Sequence, residues 1–325
     1  MPPGLKRLTT PFVGACGLAI GSLVAPTFAA FSGTTENSGN TLSAAADWVA
    51  PSASASVIRK SGGGVPGFIK QGGTYYIYAN LSDAGNPASG ISTATANVST
   101  ITSGQTAVTL STGSWTVDGS SYNYRSALLT ANSVLVDGSK SFSVTMTDAA
   151  SNSATQNGFT VIVDNIVPAG SDIQTENVSG GENGRPELGD KVIYTFTERI
   201  EPESIVAGWS GASTNVTVRI VDNSANDQVQ IWNDVNGAQL PLGVINTGGN
   251  YVSSTSTFGA SGTRSTMVQS NTVITIMLGT LNSGTTRSNN LDTLLWTPSS
   301  VATDLAGNNC DVSVVTELGV ADPDF

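Results

Sequence analysis

The sequence predicts an all-β chain of two tandem β-sandwich domains, preceded by a signal peptide and a flexible N-terminal segment. Two observations predict it. First, a phrase occurs twice, Thr147-Asp148-Ala149-Ala150-Ser151-Asn152 and Thr303-Asp304-Leu305-Ala306-Gly307-Asn308. Each copy stands just before a closing apolar alternation, Phe159-Thr160-Val161-Ile162-Val163 and Val312-Ser313-Val314-Val315. An Asp that accepts backbone N–H groups, then small residues, then Ser-Asn or Gly-Asn able to turn the chain, is hairpin chemistry. Its recurrence near the end of each half marks two β-units. Second, from Val57 onward short period-two runs alternate with turn clusters, and helical periodicity is almost absent.

Residues 1–29 read as a signal peptide. Lys6 and Arg7 form a basic start, an uncharged and mostly apolar run extends from Pro11 to Pro26, and Thr27-Phe28-Ala29 offers small residues for cleavage after Ala29. The run contains two prolines and is short for a membrane span, which needs about 20 apolar residues. Residues 30–52 are Ser, Thr, Ala, Gly and Asn with few large side chains, and read as a flexible lead-in or a donor strand.

The first domain is placed at 53–167. Thr74-Tyr75-Tyr76-Ile77-Tyr78-Ala79 and Ser141-Phe142-Ser143-Val144-Thr145-Met146 are its clearest strands, and Asp137-Gly138 is a hairpin signal before the second of them. Asn165-Ile166-Val167-Pro168-Ala169-Gly170 is the seam, short enough to hold the halves semi-rigidly. The second domain is placed at 168–325. Its strands include Lys191–Thr197, 216–220, 229–232 and 273–277, and Glu201-Pro202-Glu203-Ser204-Ile205-Val206-Ala207-Gly208 has the form of one short helix.

Composition narrows the chemistry. The chain has no histidine, and cleavage after Ala29 removes Cys16 and leaves Cys310 alone. Ser-His-Asp and Cys-His catalysis, the usual zinc sets and an internal disulfide are thereby excluded. Loss of Lys6 and Arg7 takes the formal charge from −11 to −13, against nucleic acid as a partner. Glu198, Glu201 and Glu203 are close in sequence, but surround one turn rather than an aromatic-lined cleft, and read as solvated turn residues. No catalytic or cofactor-binding residue is identified. Calcium is the one ion with candidate ligands: Asp148 with Asn152, Asp304 with Asn308 and Asp311, and Asp222 with Asn226 and Asp227. Asx-turn capping explains the same residues without a metal. The five tryptophans are scattered one per region and read as core plugs.

The first half resembles the bacterial Ig-like (Big-type) repeats of secreted and cell-surface proteins, in Ser82-Asp83-Ala84-Gly85-Asn86, the late Asp-Gly and the junction Val163-Asp164-Asn165…Pro168. The second resembles a longer Ig-like module of actinobacterial surface proteins. The residues concerned are Gly184-Arg185-Pro186-Glu187-Leu188-Gly189-Asp190, Ile205-Val206-Ala207-Gly208-Trp209, Thr257-Phe258-Gly259-Ala260-Ser261-Gly262 and Trp296-Thr297-Pro298-Ser299. These resemblances imply two tandem Ig-like sandwiches. Residues 30–42 resemble the start of mature Gram-positive biofilm-fibre proteins, which implies self-association by strand donation; on composition alone the segment is a tether. The expectation is a non-enzymatic, secreted or surface-associated protein with a structural or adhesive role as spacer, matrix or fibre component. Its partner would be a protein or glycan at the cell surface. The alternatives are a polysaccharide-binding accessory protein and, more remotely, a carboxylate-dependent glycoside hydrolase.

Overall fold

The computed structural model describes residues 47–289, 292–319 and 325, which belong to one compact unit. The expected signal peptide and residues 30–46 of the expected lead-in lie outside the described residues. Residues 47–52 are described: Asp47 and Pro51 are buried, and Ser52 opens the first strand.

The fold is almost wholly β. The first sheet contains β1 (Ser52–Lys60), β2 (Phe68–Ile69), β3 (Thr74–Ser82), β4 (Ile91–Asn97), β5 (Val108–Val117), β6 (Ser120–Ser126), β7 (Leu129–Thr130), β8 (Gly138–Asp148) and β9 (Ser153–Val163). Its order is β1-β3-β6-β5-β4-β8-β9-β2, with β7 on β3. β5 pairs with β4 through Val108 and Thr109 and with β6 from Leu110 onward, so one strand passes from layer to layer and the sheet closes over its own core. Strict alternation sets the inner face. Tyr75, Ile77, Ala79 and Leu81 of β3 and Phe142, Val144 and Met146 of β8 are buried together, while Ser141, Ser143 and Thr145 face outward.

The second sheet contains β10 (Gly170–Glu176), β11 (Lys191–Phe196), β12 (Thr214–Val221), β13 (Gln228–Asn233), β14 (Val244–Asn246), β15 (Ser256–Phe258), β16 (Ser265–Ser270), β17 (Val273–Met277), β18 (Leu281–Ser283), β19 (Leu295–Thr297) and β20 (Val315–Thr316). Its order is β10-β11-β17-β16-β12-β13-β14-β19-β20, with β15 bridging β12 and β18. Val192, Tyr194 and Phe196 face Trp296 in its core; the Trp296 ring meets Tyr194 and Phe196 edge-on at 5.2 and 4.9 Å and donates its indole N–H to Leu242 O. The one helix among the described residues, α1 (Pro202–Ile205), opens on the expected proline.

Two Asp-Gly pairs behave differently. Asp137-Gly138 is not a hairpin turn: β8 pairs with β4 and β9, and the Asp137 carboxylate instead accepts the backbone and side-chain N–H of Asn165. The tight hairpin is Asp118-Gly119 between β5 and β6, where both residues have positive φ (46° and 73°), as a primed turn requires. The closing alternation at 312–315 also contributes less strand than its pattern suggests, since only Val315 and Thr316 pair, in β20.

The seam is cross-braced. Asn165 accepts Gln71 N–H and donates to Leu135 O on the first side, while Pro168 O and Ala169 O accept Asp311 N–H and Thr197 N–H on the second. Lys60 donates to Glu201 Oε2 at 2.7 Å and to Leu305 O at 2.6 Å, and Lys70 donates to Gly307 O. Glu201 and Glu203 also accept Val65 N–H and Gly64 N–H, and Arg59 lies 3.6 Å from Glu203. Glu201 is therefore not a solvated turn residue: its side chain is 4 % exposed, against 16 % for Lys60.

Candidate metal centres

The repeated phrase folds into the same turn twice. In the first copy Asp148 Oδ1 accepts Asn152 N–H and Oδ2 accepts the Asn152 amide, while Ser151 takes φ of 72°. In the second, Asp304 Oδ1 accepts Gly307 N–H and Asn308 N–H, Oδ2 accepts the Asn308 amide, and Gly307 takes φ of 93°. Both turns are closed by a backbone bond from the Asp N–H to the Asn carbonyl. This is the Asx chemistry that the sequence suggests.

The repeat extends beyond the turn. Asn152 also donates to Asp47 O, and Asn308 donates to Asp164 O, at 3.2 and 3.0 Å. Asp47 and Asp164 occupy equivalent places: each caps the N–H two residues on, Val49 or Ile166, and each precedes a buried proline by four residues, Pro51 or Pro168. A third carboxylate follows the strand that pairs with the first strand of each half, Asp83 after β3 and Glu198 after β11. The result is two trios, Asp47–Asp83–Asp148 and Asp164–Glu198–Asp304, in each of which one oxygen per residue lies within 4.8 Å of the others.

The electrostatics of the trios differ. In the first, Asp47 accepts Val49 and Ser89 N–H, Asp83 accepts Gly85 and Gly90 N–H, and Asp148 is closed by Asn152. The N–H groups of Val49 and Ser89 hold the Asp47 carboxyl below the usual range. In the second, no hydrogen bond among the described residues reaches Glu198 or Oδ2 of Asp164. Burial, with Asp164 and Asp304 beside it, pushes the Glu198 carboxyl up. Burial also pushes Asp304 up, opposed by its bonds from Asn308 and Gly307. All six oxygens of the first trio accept N–H groups, whereas Glu198 and Oδ2 of Asp164 in the second accept none among the described residues; hard oxygens of this kind suit calcium and do not suit soft metals.

Of the sequence candidates, Asp148 and Asp304 enter trios, with Asn152 and Asn308 as their clamps. Asp311 does not; it caps Ser313 N–H. Asp222 caps Ser224 N–H at the surface, and Asp227, fully buried, accepts Asn223, Tyr251 and Val252 N–H. These three join no carboxylate trio among the described residues. Asp47, Asp83, Asp164 and Glu198, which complete the trios, are not among the sequence candidates, although Asp-x-x-x-Pro at 47–51 and 164–168 is visible in the sequence. Cys310 is buried, and burial raises its thiol to about 11. Trp209 and Trp296 are core residues, but Trp48 is exposed and Trp115 and Trp232 are half-buried, so the five are not all core plugs.

No protein-family model matches the chain, and no curated protein matches it.

Proposed function

We propose that the chain is a secreted or surface-associated, non-enzymatic protein of two tandem Ig-like sandwiches with a structural or adhesive role. The observation that carries this reading is the junction. Lys60, Lys70, Arg59, Glu201, Glu203 and Asn308 tie the two halves together across a seam of few residues. A spacer or matrix component requires such fixed relative placement, whereas a hinge enzyme would leave the seam open. The lack of histidine, the burial of Cys310 and the use of Glu201 and Glu203 in the junction support a non-catalytic role. Expression of the full chain in a bacterial host, with fractionation and N-terminal sequencing, tests it. The expected product is extracellular and begins at Ala30, and a full-length cytoplasmic product would overturn the reading.

A second reading is favoured by the bare oxygens of the second trio: calcium stiffens the seam by neutralising Asp164, Glu198 and Asp304. Thermal melts in calcium and in chelator test it. Calcium should raise the midpoint in proportion to the logarithm of its concentration once above Kd, and Glu198→Gln should abolish the rise. Identical melts in calcium and chelator would reject it.

A further inference from the structure

The outer face of β3, β6 and β5 carries aromatic side chains that neither the core nor the junction uses. Alternation sends Tyr75, Ile77 and Ala79 inward and leaves Tyr76 and Tyr78 on the opposite face, where Tyr78 pairs with Arg125 and Trp115 pairs with Tyr122. The Arg125 guanidinium carbon lies 4.5 Å from the Tyr76 ring centre, 4.9 Å from Trp115 and 6.0 Å from Tyr78. Tyr78 touches Tyr76 at 6.2 Å and Tyr122 at 5.9 Å. Tyr78 is the buried floor of this bed; Tyr76, Trp115, Tyr122 and Arg125 are half-exposed around it.

Two details show that the bed is built. Trp115 lies on the same face of β5 as Ser111, whose cross-strand partner is Arg125, and its indole lies against Gly113 beside a register shift between Thr112 and Trp115: a Cβ at 113 would overlap the ring. Arg125 is held by ring faces alone, with no hydrogen bond or ion pair among the described residues. A guanidinium stacked in this way keeps its N–H fork at the edge, where it matches a carboxylate. In a chain of net charge −11, this places a local positive site in an otherwise acidic molecule.

We propose that this bed binds an acidic polysaccharide, a uronate-containing chain whose sugar rings stack on Tyr76, Trp115 and Tyr122 while one carboxylate takes the Arg125 fork. The bed is shallow and open, which suits an extended polymer rather than a small apolar ligand. Its amphipathic rings offer faces for sugar C–H groups and phenol edges for hydroxyls. This site is separate from the carboxylate trios and stands or falls without them.

The test is titration of the full chain with oligogalacturonate and, in parallel, with a neutral cello-oligosaccharide of equal length, followed by tryptophan fluorescence and calorimetry at low and high salt. The uronate should bind, weaken with salt, and exceed the neutral sugar by about tenfold or more. Arg125→Gln should remove that preference with the thermal midpoint unchanged. Gly113→Ala, which keeps every side chain of the bed and displaces only the indole, should weaken uronate binding by a similar factor; it decides the matter if Arg125→Gln lowers the midpoint. Failure of the uronate to bind, equal binding of the neutral sugar, or binding indifferent to either substitution in a folded variant would overturn the proposal.

Discussion

At the entry to the first sheet, Asp47, Asp83 and Asp148 each accept two N–H groups; at the entry to the second, Glu198 and one oxygen of Asp164 accept none among the described residues. The turn, the clamp asparagine and the capping of the i+2 N–H are the same in both. The difference lies in the path of the chain beyond the third carboxylate. After Asp83 the chain loops back, and Ser89 and Gly90 point their N–H groups at Asp47 and Asp83. After Glu198 it runs through Ile200, which bridges to Asp304, straight into α1 and the junction, and no loop returns to cover the acids. One carboxylate geometry can thus be closed by its own backbone or left with oxygens that accept no N–H among the described residues, according to the path of one connection.

The largest expected effect lies in the junction into which the chain runs after Glu198. Glu201→Ala should destabilise the protein by about 3 kcal/mol, because the largely buried Lys60 ammonium loses its carboxylate and keeps only the neutral Leu305 carbonyl, while Val65 N–H loses its acceptor. A double replacement, Lys60→Met with Glu201→Leu, should recover most of that loss. Denaturant unfolding of the three variants checks both statements. A Glu201→Ala loss below about 1 kcal/mol would show that the pair behaves as a surface contact.

Next come the turns themselves. Asp148→Ala and Asp304→Ala should each cost about 1–2 kcal/mol through lost turn hydrogen bonds, measured in chelator. If either loss appears only with calcium present, that turn is a metal ligand first and a cap second.

Acid should then distinguish the trios by sign. The Asp47 carboxyl is lower in the folded chain than in the unfolded one, so its contribution to stability is present above the ordinary aspartate value of 3.8 and is lost as pH falls through the folded value. The Glu198 carboxyl is raised above 4.5, so its ionised form opposes folding at neutral pH, and that opposition is relieved as pH falls through the raised value. Without calcium, Glu198→Gln should stabilise the chain at neutral pH and lose the advantage on mild acidification. Asp47→Asn should do the reverse, destabilising at neutral pH and becoming neutral in strong acid. Unfolding free energies of both variants across pH measure the two signs directly.

The smallest expected effect is reductant. Cys310 is buried in the loop that carries Asp304, with its thiol raised to about 11, so dithiothreitol should leave the melting midpoint unchanged. A thiol reagent should label it only at the rate of unfolding. Fast labelling of the native chain would mean that this loop opens and that the second trio is a mobile site.

The repeated turn was legible in the sequence because its chemistry is local: within five residues an Asp, two uncharged residues, a left-handed position and an Asn supply all the donors and acceptors. The strands were legible because period-two patterning and burial are the same fact. The rest of each trio was not, since Asp47 and Asp83, or Asp164 and Glu198, reach the turn only through the completed sheet. Glu201 read as solvated because its partner Lys60 stands 141 residues away. Asp137-Gly138 and Asp118-Gly119 are equally good hairpin dipeptides, and only strand pairing separates them. Trp115 read as core because which face of β5 lies outward is fixed only by its pairing with β6.

The second turn presents opposite chemistry on its two sides. Its N–H groups point inward to Asp304, and its carbonyls at Leu305 and Gly307 point outward to Lys60 and Lys70 of the first half. A loop committed on both sides cannot open for one core while staying closed for the other. Loss of order in either sheet releases bonds counted in both, so unfolding of one core should be coupled to unfolding of the other. A stabilising substitution deep in one would then slow hydrogen exchange in the other.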